Sequence, residues 1–149
     1  MKNIGLWLVM ILALAPGANV GCRSRSDAPG AQKSSVVLEP ILGSLDAPTP
    51  GSTMRETGLV GGWALAGSGI RRIAIYIDRQ FIRFVEVDGK RPDVGKIFSK
   101  DYPGAEKSGW TFILDVSKMA DGNHELVAKA ESNKGTFREF GPVPFQVVH

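Results

Sequence analysis

The feature of this sequence that most constrains its fold is a regular alternation of apolar and polar residues in short runs. Isoleucine occupies every second position in the segment 73–77, and Trp, Phe, Leu and Val do so in the segment 110–116. A period of two is the spacing at which side chains of a β-strand share one face, whereas a helix needs a period near 3.6. The alternation therefore predicts strands that are buried on one side.

Counting such runs gives about seven predicted strands. They cover residues 41–45, 57–65, 70–77, 81–87, 110–116, 124–130 and 143–148. Clusters of turn-forming residues separate several of them, at 67–69, 78–80, 121–123 and 133–135. Seven short antiparallel strands without a helical period indicate an all-β fold, a β-sandwich of two facing sheets.

One long segment, residues 89–109, does not alternate. Pro92 suits the first turn of a helix, Asp93 suits its positive N-terminal end, and Val94 and Phe98 fall on one helical face. These residues predict one short helical turn inside the long loop, ended by Tyr102 and the proline after it. A loop of this length inside a compact domain is either organised or functional.

The N-terminus has the order of a secretory signal peptide: the basic Lys2, an uncharged apolar run over 4–15, and then small residues. The apolar run is shorter than the roughly 20 residues that a membrane span needs. Residues 19–22 resemble a bacterial lipobox, in which a lipidated cysteine becomes the first mature residue, although Asn19 stands where leucine is usual. We therefore predict lipid attachment at Cys22; ordinary cleavage that leaves a free thiol is the alternative.

The domain organisation follows from this start. Residues 1–21 are the predicted lipoprotein signal peptide, 22–35 the lipidated cysteine and a polar linker, and 36–149 the sandwich domain. Cys22 is the only cysteine, so no disulfide forms within the chain. The expected location is the bacterial cell envelope, with the domain extracytoplasmic. In a host with two membranes, Arg23 resembles the residue that follows the cysteine in lipoproteins sent to the outer membrane.

Short motifs occur in order along the domain: GWAL at 62–65, GI at 69–70, RPDV at 91–94, YP at 102–103, SGW at 108–110 and GxH at 122–124. The series resembles an immunoglobulin-like module of bacterial exported proteins. The resemblance covers residues 43–149. It implies an immunoglobulin-like sandwich, commonly a companion module beside other domains, and does not imply an enzyme.

Three positions depart from that pattern. Ala66 stands in place of Asp, Trp110 in place of Phe, and Arg79 in place of the Gly of a hairpin turn. A two-residue hairpin turn wants residues that tolerate positive φ. We therefore predict a longer turn through Asp78, Arg79 and Gln80.

The segment 90–109 is the predicted contact surface, with Arg91, Asp93 and Tyr102 as its candidate contact residues. Arg91 and Asp93 flank a proline that fixes the backbone, so they either meet a ligand or clamp the loop, and we favour the clamp.

Three aromatic residues, Trp63, Tyr76 and Trp110, are candidates for stacking on a sugar. Trp110 begins an alternating strand, which favours a core position for it.

The sequence favours no catalytic, cofactor-binding or metal-ligating residue. The two histidines, His124 and His149, are far apart and lack the company of a metal motif, and His124 is expected to be a half-buried strand residue. No GxSxG nucleophile motif occurs. The basic residues near 71–91 are interleaved with acids, which favours a solvated sheet face over a nucleic-acid site.

The predicted function is therefore that of a membrane-anchored, extracytoplasmic, non-catalytic module for binding, adhesion or envelope structure. Its partners are the membrane, through the lipid, and an envelope protein or glycan. The alternative is a carbohydrate-binding accessory module that recognises cell-wall or surface glycan. Two or more aromatic residues clustered on an exposed face would favour the glycan, and their burial would favour a protein partner or a structural role. A small hydrolase would need an acid and a base converging in a pocket.

Overall fold

The computed structural model describes residues 38–149, which fold into two sheets packed face to face. The first sheet has three strands in the order β1-β3-β6, and the second has five in the order β2-β8-β7-β4-β5. The strands are β1 (Ile41–Ala47), β2 (Ser52–Met54), β3 (Thr57–Ala66), β4 (Ile70–Ile77), β5 (Gln80–Val85), β6 (Gly109–Asp115), β7 (Gly122–Ser132) and β8 (Phe137–Val147). Neighbouring strands are antiparallel except for β2 and β8, which run parallel.

The predicted immunoglobulin-like sandwich is confirmed, and each of the seven predicted strands is present. The eighth strand, β2, was not predicted, because three residues are too few to show an alternation. Strand β8 begins at Phe137, six residues before its predicted start. Gly141, at φ 108°, and Pro142 interrupt the apolar pattern there, so the sequence shows only the second half of the strand.

The inward faces of the two sheets form one hydrophobic core. Its largest fully buried side chains, Trp110 and Phe145, come one from each sheet. Trp110 is 1% exposed, which confirms its predicted core position. The alternating isoleucines of β4 point into it: Ile73, Ile75 and Ile77 are all buried. The core holds without sulfur cross-links within the described residues, since the lone Cys22 lies outside them. The predicted signal peptide, the predicted linker (22–35) and the first two residues of the predicted domain also lie outside the described residues.

The predicted longer turn at residues 78–80 is wrong. Ile77 pairs with Gln80, so β4 and β5 are joined by a two-residue turn in which Asp78 (φ 50°) and Arg79 (φ 68°) both take the left-handed conformation. Asp78 tolerates this because its carboxylate accepts the backbone N–H of Glu125 at 2.9 Å and contacts Nδ1 of His124 at 2.7 Å.

The non-alternating segment does contain the predicted helical turn, α1 (Pro92–Phe98), which begins at the predicted proline and ends four residues before Tyr102. A 3-10 helix, Ala105–Lys107, follows and was not predicted. Val94 and Ala105 pack with Leu65 in a small second hydrophobic cluster that is separate from the main core. The long loop is thus an organised layer on the three-stranded sheet.

Candidate functional site

The outer face of the five-stranded sheet carries three neighbouring aromatic side chains: Tyr76 on β4, and Phe81 and Phe84 on β5. We call these three residues the aromatic patch. The Tyr76 and Phe81 ring centroids lie 5.8 Å apart, and those of Phe81 and Phe84 lie 4.8 Å apart. Phe81 is 49% exposed and Phe84 48% exposed, while Tyr76 is half-buried. The rings form one continuous apolar surface at the edge of the sheet.

A β-bulge creates this patch. Phe81 lies opposite Tyr76 and Phe84 lies opposite Ala74, while only one residue of β4, Ile75, separates those two partners. The extra residue in β5 is Ile82. Without it, two residues three apart would project from opposite faces of a strand. The sequence alternation therefore missed the patch, because no signal in the residues places the bulge.

A cationic side chain lies against one side of the patch. The Arg72 guanidinium is centred 4.1 Å from the Phe84 ring centroid, a cation–π contact. Glu131 holds that guanidinium in place through a 2.5 Å contact with its Nε, and also pairs with Arg71 at 3.3 Å. Arg72 therefore covers part of Phe84 and links the patch to strand β7.

A shallow concavity lies beside Tyr76 on the same face. Arg79, Val127, Lys129 and Glu139 line it together with the tyrosine, and the Lys129 Nζ is 3.5 Å from a Glu139 carboxylate oxygen. The concavity thus offers hydrogen-bond donors and acceptors next to an aromatic ring.

Strand β5 is the last strand of its sheet, so one edge of its backbone faces no other strand of residues 38–149. The Ile77–Gln80 pair closes the two-residue turn and is a hydrogen-bonded pair. Bonded and non-bonded pairs alternate along an antiparallel ladder. The N–H and C=O groups of Phe81 and Phe84 therefore point away from β4, toward the free edge.

The turn at the end of the patch is fixed to β7 through His124. Its Nδ1 contacts Asp78 at 2.7 Å and its Nε2 contacts the Ala120 carbonyl oxygen at 2.9 Å. Both ring nitrogens face acceptors, which favours the doubly protonated imidazolium. The Ala120 carbonyl and the Asp78 carboxylate accordingly raise the pKa of His124 above its ordinary value of 6.5. Its side chain is mostly buried, in keeping with the predicted strand histidine.

The predicted contact residues of the loop are engaged with the protein itself. The Arg91 guanidinium pairs with Asp46 of β1 at 2.6 Å and with Asp93 of α1 at 2.7 Å. The hydrogen bond from Arg91 lowers the pKa of Asp93 to about 2. Tyr102 packs edge-on against Phe98, with ring centroids 6.4 Å apart. Whether these residues also meet a ligand stays a prediction.

The three predicted stacking aromatics lie in three different places. Trp63 packs on Phe98 of the long loop at 5.5 Å between centroids, Trp110 is in the main core, and Tyr76 is in the aromatic patch. Tyr76 therefore has exposed aromatic neighbours, although they are phenylalanines that the sequence did not single out.

Residues 38–149 contain no cluster of three His, Cys, Asp or Glu side chains that could hold a metal ion. Within the same residues, no helix has the length and apolar character to cross a membrane.

Comparisons with known proteins bear on the fold. No protein-family model and no curated protein matches this chain. Among solved structures, the chain is similar to the fibronectin(III)-like modules of CbhA from Clostridium thermocellum, with a TM-score of 0.50 and 15% identity, over 72% of this chain and 46% of that one. It is also similar to the endo-beta-1,4-mannanase of Thermotoga petrophila, with a TM-score of 0.49 and 14% identity, over 78% of this chain and 21% of the enzyme.

The chain thus spans less than half the length of either of these two structures. At such low identity, the likeness to the fibronectin(III)-like modules shows a shared sandwich fold and nothing about activity. The family resemblance of the sequence motifs remains a prediction.

Proposed function

We propose that this protein is an exported, lipid-anchored and non-catalytic binding module that makes its contact through the aromatic patch. The observation that carries the proposal is the exposure of Phe81 and Phe84 side by side on a sheet edge. Exposed apolar residues are normal on protein surfaces. This group differs from the exposed aliphatic pair Leu59 and Ile113 because it is aromatic, and aromatic residues are enriched at interfaces.

The patch has apolar surface left to bury. Complete burial of a phenylalanine side chain is worth about 1.5–3 kcal/mol. Phe81 and Phe84 each keep about half of their surface exposed, so a partner that covers both rings gains about 1 kcal/mol from each. Aromatic anchors of this kind dominate the binding energy of many interfaces, since they are rigid and lose little conformational freedom.

The anchor belongs to the same proposal. A lipid at Cys22 and the predicted linker, treated as a random coil of about thirteen residues, would hold the domain roughly 20 Å from the membrane surface. At that distance the domain reaches envelope components without entering the bilayer.

The segment 90–109 is the competing contact surface, with Ile97 of α1 as its most exposed apolar side chain at 72%.

A matched pair of double variants tests the contact surface. Phe81→Ser with Phe84→Ser removes the exposed rings of the patch. Leu59→Ser with Ile113→Ser is the control, because these two residues are directly opposite each other on the three-stranded sheet and are 53% and 61% exposed. In capture of envelope components by the full chain, we expect binding to fall about thirtyfold for the patch variant alone, the equivalent of about 1 kcal/mol from each ring. Equal binding by both variants would contradict the proposal.

The anchor has a separate test. We expect cells to incorporate radioactive palmitate into the wild-type chain and not into a Cys22→Ser variant. A wild-type chain that takes up no label would contradict the lipid anchor and leave the patch unaffected.

A glycan is the second candidate ligand, and the concavity beside Tyr76 favours it. Sugars combine an apolar ring face with hydroxyl groups, and here an aromatic ring adjoins the Lys129–Glu139 ion pair. Specific binding on a glycan array that is lost in Tyr76→Ala and in Lys129→Ala with Glu139→Ala would support it. No binding to any glycan would remove this candidate.

A further inference from the structure

The free edge of β5 is complementary to itself. Strand β5 and the two residues that flank it read Arg-Gln-Phe-Ile-Arg-Phe-Val-Glu from position 79 to position 86. Two such strands can pair antiparallel about a two-fold axis that passes between Ile82 and Arg83. In this register the numbers of any two residues that lie opposite each other add up to 165. Arg79 then lies opposite Glu86, and Phe81 lies opposite Phe84, each twice.

The bulge makes the two faces of this segment match under the same symmetry. Four residues lie toward the outer face and four toward the interior side of the sheet. The outward four are Arg79, which borders the outer concavity, Phe81 and Phe84 of the patch, and Glu86, which lies between the inward Val85 and Val87. The inward four are Gln80 and Ile82, which border a groove with Leu114, Arg83, which lies over Phe112, and the buried Val85.

From either end of positions 79–86, the side chains therefore face in the same order: out, in, out, in, in, out, in, out. Residues that lie directly opposite each other in an antiparallel pair must project from the same face. The register about Ile82 and Arg83 meets this condition at every position. A strand without the bulge could not meet this condition in the same register. Two positions whose numbers add up to 165 are an odd number of residues apart, so in a regular strand they project from opposite faces.

We propose that two copies of this chain pair through their β5 edges, antiparallel, to form one continuous sheet. This inference rests on the proposed function, since it names a second copy as the partner of the aromatic patch. The N–H and C=O groups of Phe81 and Phe84 that face the free edge supply the main-chain hydrogen bonds of the new ladder. A symmetric dimer with one self-complementary surface is the commonest form of oligomer.

Charge and ring geometry support this partner over a sugar. Just beyond the two ends of β5, the register brings Arg79 of each copy, in its turn, near Glu86 of the other, so opposite charges meet at both ends. The patch rings are inclined to one another by 69° and 54°, so they share no flat surface for a sugar to stack on. Arg72 also occupies part of the Phe84 surface. Across a strand pair, by contrast, inclined aromatic rings pack well edge to face.

The two Arg83 side chains of the pair carry the same charge, but they do not lie on the outer face with the aromatic rings. Each Arg83 guanidinium lies on the interior side, 5.2 Å from the Phe112 ring centroid. The Arg83 Nε also lies 3.5 Å from the Phe84 carbonyl oxygen, a weak contact that a main-chain hydrogen bond from the second copy would replace.

A disulfide trap tests the register. In the full chain with Cys22→Ser, which removes the native thiol, Arg79→Cys and Glu86→Cys are introduced together. The two positions lie just beyond opposite ends of one strand, up to about 23 Å apart at about 3.3 Å per residue, so they cannot form a disulfide within one copy. We expect oxidation of the detergent-solubilised chain to give a covalent dimer. Arg79→Cys or Glu86→Cys alone serves as the control and should give little dimer.

A charge-reversal series tests the same contact without cysteines. Arg79→Glu and Glu86→Arg, each alone, should weaken self-association about tenfold in sedimentation velocity, and the double variant should restore it. All four chains should give the same circular dichroism spectrum, because both residues are exposed. A wild-type chain that stays monomeric to about millimolar concentration, or a trap that does not close, would overturn the inference.

The two proposals fail in different ways. If the trap does not close but the Phe81 and Phe84 variant loses envelope binding, the patch binds another partner and the second copy is excluded. If the trap closes and that variant still binds the envelope normally, self-pairing stands and the proposed envelope contact falls.

Discussion

Two regions of this molecule are rich in aromatic residues, and they use them differently. Around the long loop, Trp63 of β3 packs with Phe98 and Tyr102 against Val94 and its buried neighbours, so these rings are part of the folded structure. In the aromatic patch, the rings lie on the outside of the sheet with half of their surface uncovered. The loop aromatics therefore contribute to stability, while the patch aromatics remain available for a partner.

The largest expected difference concerns stability. Phe98→Ala should lower the free energy of unfolding by about 2 kcal/mol, because the ring supports α1 and the loop cluster. Phe84→Ala should lower it by less than about 1 kcal/mol, since half of that ring is already in water. Urea denaturation of the two variants measures both values. Equal losses would remove the distinction between the two regions.

A smaller effect, of opposite sign, is expected in the turn that ends the patch. Arg79 holds a positive φ of 68°, a conformation that costs a residue with a Cβ about 1 kcal/mol and glycine almost nothing. Arg79→Gly should therefore raise the free energy of unfolding by up to about 1 kcal/mol, partly offset by the greater freedom of glycine in the unfolded chain. The urea midpoint reports it, and a lower midpoint would contradict this explanation. The same variant should weaken self-pairing, because Glu86 of the second copy loses its partner.

The pH dependence of the two regions should also differ. His124 has a raised pKa in the folded protein, so its contribution to stability is fully present below about pH 6.5. That contribution is lost as the pH rises through the raised pKa, and it amounts to less than about 1 kcal/mol, the size of a partly exposed ion pair. His124→Gln should remove this part of the pH dependence in urea denaturation between pH 5 and 9. A slope that survives the substitution would show that another group is responsible.

The loop has a clamp that does not titrate in this range, since Arg91 keeps its charge throughout. Arg91→Met should return the pKa of Asp93 from about 2 toward its ordinary value of 3.8, as measured by NMR titration of the carboxyl carbon. An unchanged Asp93 pKa would mean that the Arg91 contact does not persist in solution.

The same comparison shows what the sequence can predict. The start of α1 at Pro92 and the burial of Trp110 follow from local patterns, because a proline at a helix start and an alternating strand are decided by a few neighbouring residues. The loop contacts of Arg91 with Asp93 belong to the same class, since the two residues are adjacent to one proline.

The patch could not be predicted, because it depends on long-range pairing. One extra residue in β5, Ile82, decides whether Phe81 and Phe84 share a face, and only the register with β4 fixes the bulge. The tight turn at Arg79 was missed for a related reason. The interactions that hold Asp78 come from His124 and Glu125, 46 and 47 residues away in the sequence.

The most direct test of the central claim is amide hydrogen exchange of the full chain, compared between its native envelope and dilute detergent solution. If the patch is the contact surface, the amides of Phe81 and Phe84 gain protection in the envelope, while the exchange of residues 90–109 is unchanged. Protection confined to residues 90–109, with β5 still exchanging freely, would contradict the account and assign the contact to the loop.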